Sequence, residues 1–334
     1  MHLLLVTALL GTASAKQISD KKMQKLVEIP KGWEIAMASQ PMWFFTQAMG
    51  HPTCYPTYAE DLYTREQRHP AKLCEYPDTS CHCRQPGVEP GYKGPGFPVY
   101  YSTKRCGESE IRVAYNLFYQ KDGFAPGEEN GGHPYDWERV IAVWNKYGNN
   151  WSPSKLLLSQ HDTYESVPWH DIPSTVSGRE AKKHLGGKNG QKGKDHPKVY
   201  VGWSKHSHYV EPYQGLQTPL VQMTPWATRG YDWWYFPTKE DYHLTDGKGS
   251  QKKMRDLGKQ FNFWNWGPEL KGQDPMSVHL SLCNVTVGKT EKAFVPLRLQ
   301  KLDLQAFLNG SLVLKNTGTL RLEDLEPETL LRRL

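Results

Sequence analysis

Apolar and polar positions alternate in IRVAYNLFY, residues 111–119: Ile111, Val113, Tyr115, Leu117 and Tyr119 recur at every second place, with Arg112 and Asn116 between them. Period two is the spacing of one face of a strand, so this run predicts a half-buried β-strand. DWERVIAVW (136–144), rich in β-branched and aromatic residues, predicts another; after a turn at YGNN, KLLLSQ (155–160) and then KVYVGWS (198–204) predict two more. The segment KDGFAPGEENGG (121–132) is dense in glycine and charge and reads as a loop. KMQKLVEIPKGWEIAMASQPMWFF (22–45) is weakly periodic and fits a short helix interrupted at Pro30. Short strands between turns predict a mainly β chain built as an antiparallel sandwich.

Other segments carry different patterns. Residues 51–98 hold four cysteines among many prolines and glycines, the signature of an irregular region stapled by disulfides. REAKKHLGGKNGQKGKDHPK (179–198) is rich in lysine and glycine and reads as a solvated mobile loop. VPLRLQKLDL and SLVLKNTGTLRLEDL alternate near the C-terminus and predict further strands or a small appended unit. The implied division is a leader at 1–15, a lead-in at 16–49, a β-sandwich domain at 50–284 and an extension at 285–334.

Composition adds a location. MHLLLVTALLGTASAKQ has a short apolar core and places Ala13 and Ala15 as in a secretory cleavage site, so a signal peptide ending at Ala15 is expected, and with it an extracellular protein. No later stretch approaches the roughly 18 apolar residues a membrane span needs. Six cysteines, Cys54, Cys74, Cys81, Cys83, Cys106 and Cys283, suit an oxidising compartment and can all pair, with the connectivity open. The Cys-His-Cys spacing at Cys81 and Cys83 is not a usual zinc pattern, which favours half-cystines. Glycosylation sequons stand at Asn150, Asn284 and Asn309. A net charge of +6 among 334 residues is mild and dispersed, and makes no case for nucleic acid.

The candidate chemistry lies in GGHPYDWERVIAVW (131–144). In a strand, Asp136 and Glu138 project to one face, roughly 6.5–7 Å apart along the chain, while Trp137 turns away. Two carboxylates held so close repel, which raises one pKa or calls for a cation between them. Calcium or magnesium would resolve the conflict, since both prefer oxygen ligands, and His133 stands ready upstream. The plainer reading is a solvated edge or a salt bridge to Arg139. His206 and His208 in WSKHSHY share a face as well, and His161 in SQHDTY stands alone; surface histidines of this kind are commonly idle.

The order of segments resembles the necrosis- and ethylene-inducing-peptide-like proteins, secreted microbial proteins marked by the heptapeptide Gly-His-Arg-His-Asp-Trp-Glu. It stands here as Gly132-His133-Pro134-Tyr135-Asp136-Trp137-Glu138. HPTCYP (51–56), GFPVYYSTKRCGESEIRVAYNLFYQKDG, LLLSQHDTYESV and HPKVYVGWSKHSHY are similar to further family segments in the same order, over about residues 50–275. The resemblance implies a single β-sandwich similar to the actinoporins, with a divalent cation held by Asp122, His133, Asp136 and Glu138. It implies His206 as a further histidine near the cation, with His208 a rival for that place, and His161 as a histidine of the cavity.

The activity implied is cytolysis, without enzymatic turnover: binding of sugar heads of plant-type glycosylinositol phosphorylceramide or another membrane glycolipid, with peripheral damage to the membrane. Trp169 and the Tyr231–Phe236 run, including Trp233 and Trp234, are candidate membrane or glycan contacts; ordinary core packing is the favoured reading of them. Pro134 in place of arginine and Tyr135 in place of histidine depart from the signature and bear on the lytic outcome. Two other readings stand beside cytolysis: a non-lytic extracellular glycan-binding or immunogenic protein of the same fold, and a glycan hydrolase using Asp136 and Glu138 as its carboxylate pair.

Overall fold

The computed structural model describes residues 15–27, 32–125, 132–160, 163–183, 191–212, 228–245, 261, 264–285 and 287, and the backbone of 311–314 and 318–321. Two sheets dominate. The first is a run of antiparallel neighbours, β6 (Val99–Arg105), β7 (Glu110–Asp122), β8 (His133–Tyr147) and β9 (Asn150–Gln160). β15 (Tyr242–Leu244) adds in parallel beside β6, while β1 (Ile18–Ser19) and β10 (Thr163–Pro168) share the far edge of β9. The second sheet runs β11 (Thr175–Val176), β12 (His196–Val201), β2 (Met42–Phe45), β14 (Trp233–Tyr235), β5 (Tyr92–Lys93), with β13 (His208–Tyr209) also on β12. Two small hairpins stand apart, β3 (Gln47–Ala48) with β4 (His51–Pro52), and β16 (Ser311–Leu314) with β17 (Gly318–Arg321).

Strand alternation builds the core between these sheets. Val113, Tyr115, Leu117 and Tyr119 of β7 lie inward with Val140, Ala142 and Trp144 of β8 and Leu156 and Leu158 of β9. They meet Trp43 and Phe45 of β2, Val199 and Val201 of β12, and Trp233 and Tyr235 of β14. This is sandwich packing, in which each sheet buries one face against the other. The described residues contain no helix long and apolar enough to cross a membrane.

The structure departs from the sequence reading in several places. β7 is buried on both faces: Asn116 and Phe118 are fully covered, and Asn116 Nδ2 donates to Tyr100 O at 2.8 Å. The cover comes from far along the chain. Phe261, Trp266 and Leu270 pack on Tyr100, Phe118 and Trp137, while Val278 and Leu282 pack on Ala114, Ile141, Val143 and Leu157. Val278 belongs to α4 (Pro275–Ser281), whose N-cap Asp274 accepts from the backbone of Met276 and Ser277.

The lead-in is part of the sandwich rather than a prelude, since β2 lies between β12 and β14 inside the second sheet. Before it stand α1 (Asp20–Val27) and α2 (Gly32–Ala38), two helices where one interrupted helix was expected, with Pro30 outside the described residues. The lysine-rich stretch begins with a short helix, α3 (Gly178–Lys182), under a Ser177–Glu180 capping box, and its last residues, His196 to Lys198, are buried in β12.

All six cysteines pair: Cys54 with Cys83, Cys74 with Cys81, and Cys106 with Cys283. Two bridges staple the irregular region, and the third ties the end of β6 to the outer cover across 177 residues.

Candidate metal centre

The β7–β8 register assembles one end of the sandwich. Tyr119 lies opposite Asp136, Leu117 opposite Glu138, and Asp122 opposite His133. Because alternation sends Trp137 to the outer cluster, Asp136 and Glu138 point into the interior, where they are only 4% and 6% exposed. Gly132 makes the closure of this hairpin feasible. Its N–H donates to Phe124 O at 2.7 Å, and a Cβ there would stand 2.7 Å from Phe124 N. The segment between β12 and β13 brings Lys205 and His206 in from the second sheet.

Asp122, Asp136 and His206 each offer a ligand atom within 4.8 Å of the others, and all three are buried. His206 Nδ1 stands 2.8 Å from Asp136 Oδ2 and 3.8 Å from Asp122 Oδ1. The imidazole lies flat on Tyr119, ring centroids 3.8 Å apart and planes within 5°. At the mouth, His133 Nδ1 donates to Tyr135 O at 3.0 Å and its Nε2 faces Asp122 Oδ2 at 3.3 Å, where Lys205 Nζ also donates at 2.8 Å. Glu138 stands a step deeper: it accepts from the Ser159 hydroxyl, which lies 3.5 Å from His208 Nδ1.

Electrostatics at this site are unfavourable unless compensated. Burial, then the charge of Asp122, pushes the Asp136 carboxyl well above its ordinary range. Burial and the neighbouring Asp136 do the same to Glu138. Burial also pulls His206 down to about 4 and His208 to about 3, so both rings are neutral at physiological pH.

The ring atom of His206 that faces both carboxylates is Nδ1, so with the ring proton on Nε2 it would offer its lone pair to an ion between them. His206 Nε2, Asp122 Oδ1 and the Tyr119 hydroxyl are buried with no hydrogen-bond partner among the described residues. Buried polar atoms are ordinarily satisfied. Two crowded carboxylates, one with an unmatched oxygen, and the Nδ1 of His206 between them form a donor set that fits a cation.

Two backbone features mark the same place. Tyr135 and His206 have left-handed φ values of 61° and 52°. For a bulky side chain this conformation is strained, and such strain gathers at functional sites. Tyr135 is held there by Phe118 at 6.0 Å and by the edge of Trp266 at 5.4 Å.

Of the residues singled out from sequence, the fold gathers Asp122, Asp136 and His206 in one cluster, with His133 at its mouth and Glu138 and His208 behind it. His161 and Asn309 lie outside the described residues. Trp169, Trp233 and Trp234 are corrected: they are 3, 3 and 7% exposed. Trp233 and Trp234 belong to a strand paired on both sides, and Trp169 Nε1 donates inward to Lys194 O, so none presents a ring to a membrane or glycan. Asn150 and Asn284 are exposed. Sequence reasoning missed Lys205, Tyr119 and Ser159. Lys205 had a signal, its position beside His206, whereas Ser159 becomes visible only when β8 and β9 pair.

No protein-family model matches the chain, and no curated protein matches it. Among solved structures the chain is similar to the non-toxic HaNLP3 protein, at 15% identity and a TM-score of 0.40, over 76% of this chain and 88% of that one. It is similar to NLPPya in complex with glucosamine at 13% identity and a TM-score of 0.40, over 70% of this chain and 81% of that one. For Necrosis and Ethylene inducing Protein 2 from the causal agent of cocoa's Witches Broom disease the values are 16% and 0.32, over 52% of this chain and 65% of that one.

Proposed function

We propose that the protein is a secreted, membrane-active effector of the necrosis-inducing kind that binds calcium or magnesium and uses the site to engage sugar headgroups of a membrane glycolipid. The observation that carries this reading is the buried Asp122–Asp136–His206 cluster, where like charges crowd and Asp122 Oδ1 has no hydrogen-bond partner among the described residues. Asp122, Asp136 and His206 would hold the ion, with His133 at the mouth and Glu138 behind as the remaining ligands. The carboxylates supply the hard oxygen donors that calcium and magnesium take, and the imidazoles add nitrogen donors. A bound divalent ion would supply a Lewis-acidic point to which sugar hydroxyls can coordinate. The chain's own residues orient the donors: Tyr119 fixes the plane of His206, Ser159 holds Glu138, and Tyr135 O fixes the tautomer of His133. The heptapeptide resemblance supports a glycosylinositol phosphorylceramide as target, and three disulfides suit an extracellular setting.

A second reading, a non-lytic glycan binder, is favoured by the burial of Trp169, Trp233 and Trp234, which removes the obvious aromatic anchors. Dye release from vesicles carrying plant glycosylinositol phosphorylceramide separates the two. The lytic reading expects leakage with calcium, abolished by chelator and in Asp136→Ala. Leakage that survives full metal removal would sink it; a folded, calcium-bound protein that binds sugars on a glycan array and releases no dye would establish the second reading.

A further inference from the structure

Lys205 approaches the cluster from the second sheet, one residue before His206. Its Nζ lies 2.8 Å from Asp122 Oδ2, and its side chain is 13% exposed against 6% for Asp122. The stem is laid along the hairpin backbone: a Cβ on Gly123 would stand 2.9 Å from Nζ and 3.3 Å from Cε. The carboxylate that a divalent ion would take is thus also held by a tethered cation of the chain itself.

We infer that Lys205 sets the affinity of the site, competing with a divalent ion for Asp122 and so holding binding in a weak range. This rests on the cation reading above. A like charge within a few ångströms of a bound ion opposes its binding, and burial limits the screening that would blunt the effect. Extracellular modules work with calcium affinities of about 10⁻⁴–10⁻³ M, where free calcium is plentiful, so a built-in competitor keeps the site responsive instead of permanently filled. The same lysine compensates part of the buried negative charge, which ties fold stability and ion affinity to one side chain with opposite signs.

Calorimetric titration of the full chain with calcium chloride tests this. Lys205→Gln should bind calcium about tenfold more tightly than the natural protein, a difference of about 1.4 kcal/mol. Lys205→Met, which keeps the stem, should do the same, and Lys205→Arg should stay near the natural value. In chelator, Lys205→Gln should melt at a lower temperature than the natural protein. With Asp122→Asn in the background the gain should vanish, because the carboxylate being contested is gone. If the natural protein binds calcium and neither uncharged variant binds more tightly, this inference fails and the cation reading stands. If neither the natural protein nor any Lys205 variant binds, both fail together.

Discussion

Asp136 is a carboxylate in the place of a core residue. It lies on the inward face of a strand that goes on with Val140, Ala142 and Trp144, and its ordinary fate there would be exclusion. Its retention costs stability, since burial and Asp122 both act against its charged form. Asp136→Asn keeps the shape and an acceptor for His206 while removing a charge. In chelator this variant should be more stable than the natural protein by about 1–2 kcal/mol in denaturant unfolding. In saturating calcium the order should reverse; loss of stability in chelator would show that the charge is already compensated. The residue pair itself was legible, because period two puts Asp136 and Glu138 on one face whatever the tertiary structure. That Glu138 would turn to Ser159 was not, because this contact depends on the pairing of β8 with β9.

The central hairpin was legible at the level of elements, β7 through the alternation of residues 111–119 and β8 through the β-branched and aromatic run 136–144. What alternation could not reveal is a second cover. Arg112 and Asn116 suggested water on the far face of β7, yet Phe261, Trp266, Leu270, Val278 and Leu282 form a cover on that side of the sheet, and Arg112 Nη1 donates to Leu282 O at 3.0 Å. Nor could the pattern of MWFF reveal β2, whose four residues are all buried and show no period. The outer cover is pinned by Cys106–Cys283, by Arg139 Nη1 donating to Gln273 Oε1 at 2.5 Å, and by Lys104 Nζ donating to Leu280 O at 2.7 Å. Breaking a bridge that closes so long a loop should cost roughly 3–5 kcal/mol. Replacing both Cys106 and Cys283 with serine should therefore lower the unfolding midpoint markedly; an unchanged midpoint would mean that packing alone holds the cover.

Across the whole molecule, two sheets carry residues far apart in sequence to one end of the sandwich. β7 delivers Asp122, β8 delivers His133, Asp136 and Glu138, and the β12–β13 segment delivers Lys205 and His206. No single segment contains the cluster, so the sequence could present its parts and their resemblance to a known heptapeptide without their spacing. The disulfide pairings were likewise open until the fold set Cys106 beside Cys283, with Cα atoms 5.3 Å apart. Everything proposed for the molecule, from glycan contact to membrane action, depends on a cation at that end. Calorimetric titration of the natural protein and Asp136→Ala with calcium is the most direct test. The account predicts one site in the natural protein and none in the variant. Equal binding by both, or no binding by a folded natural protein, would contradict it.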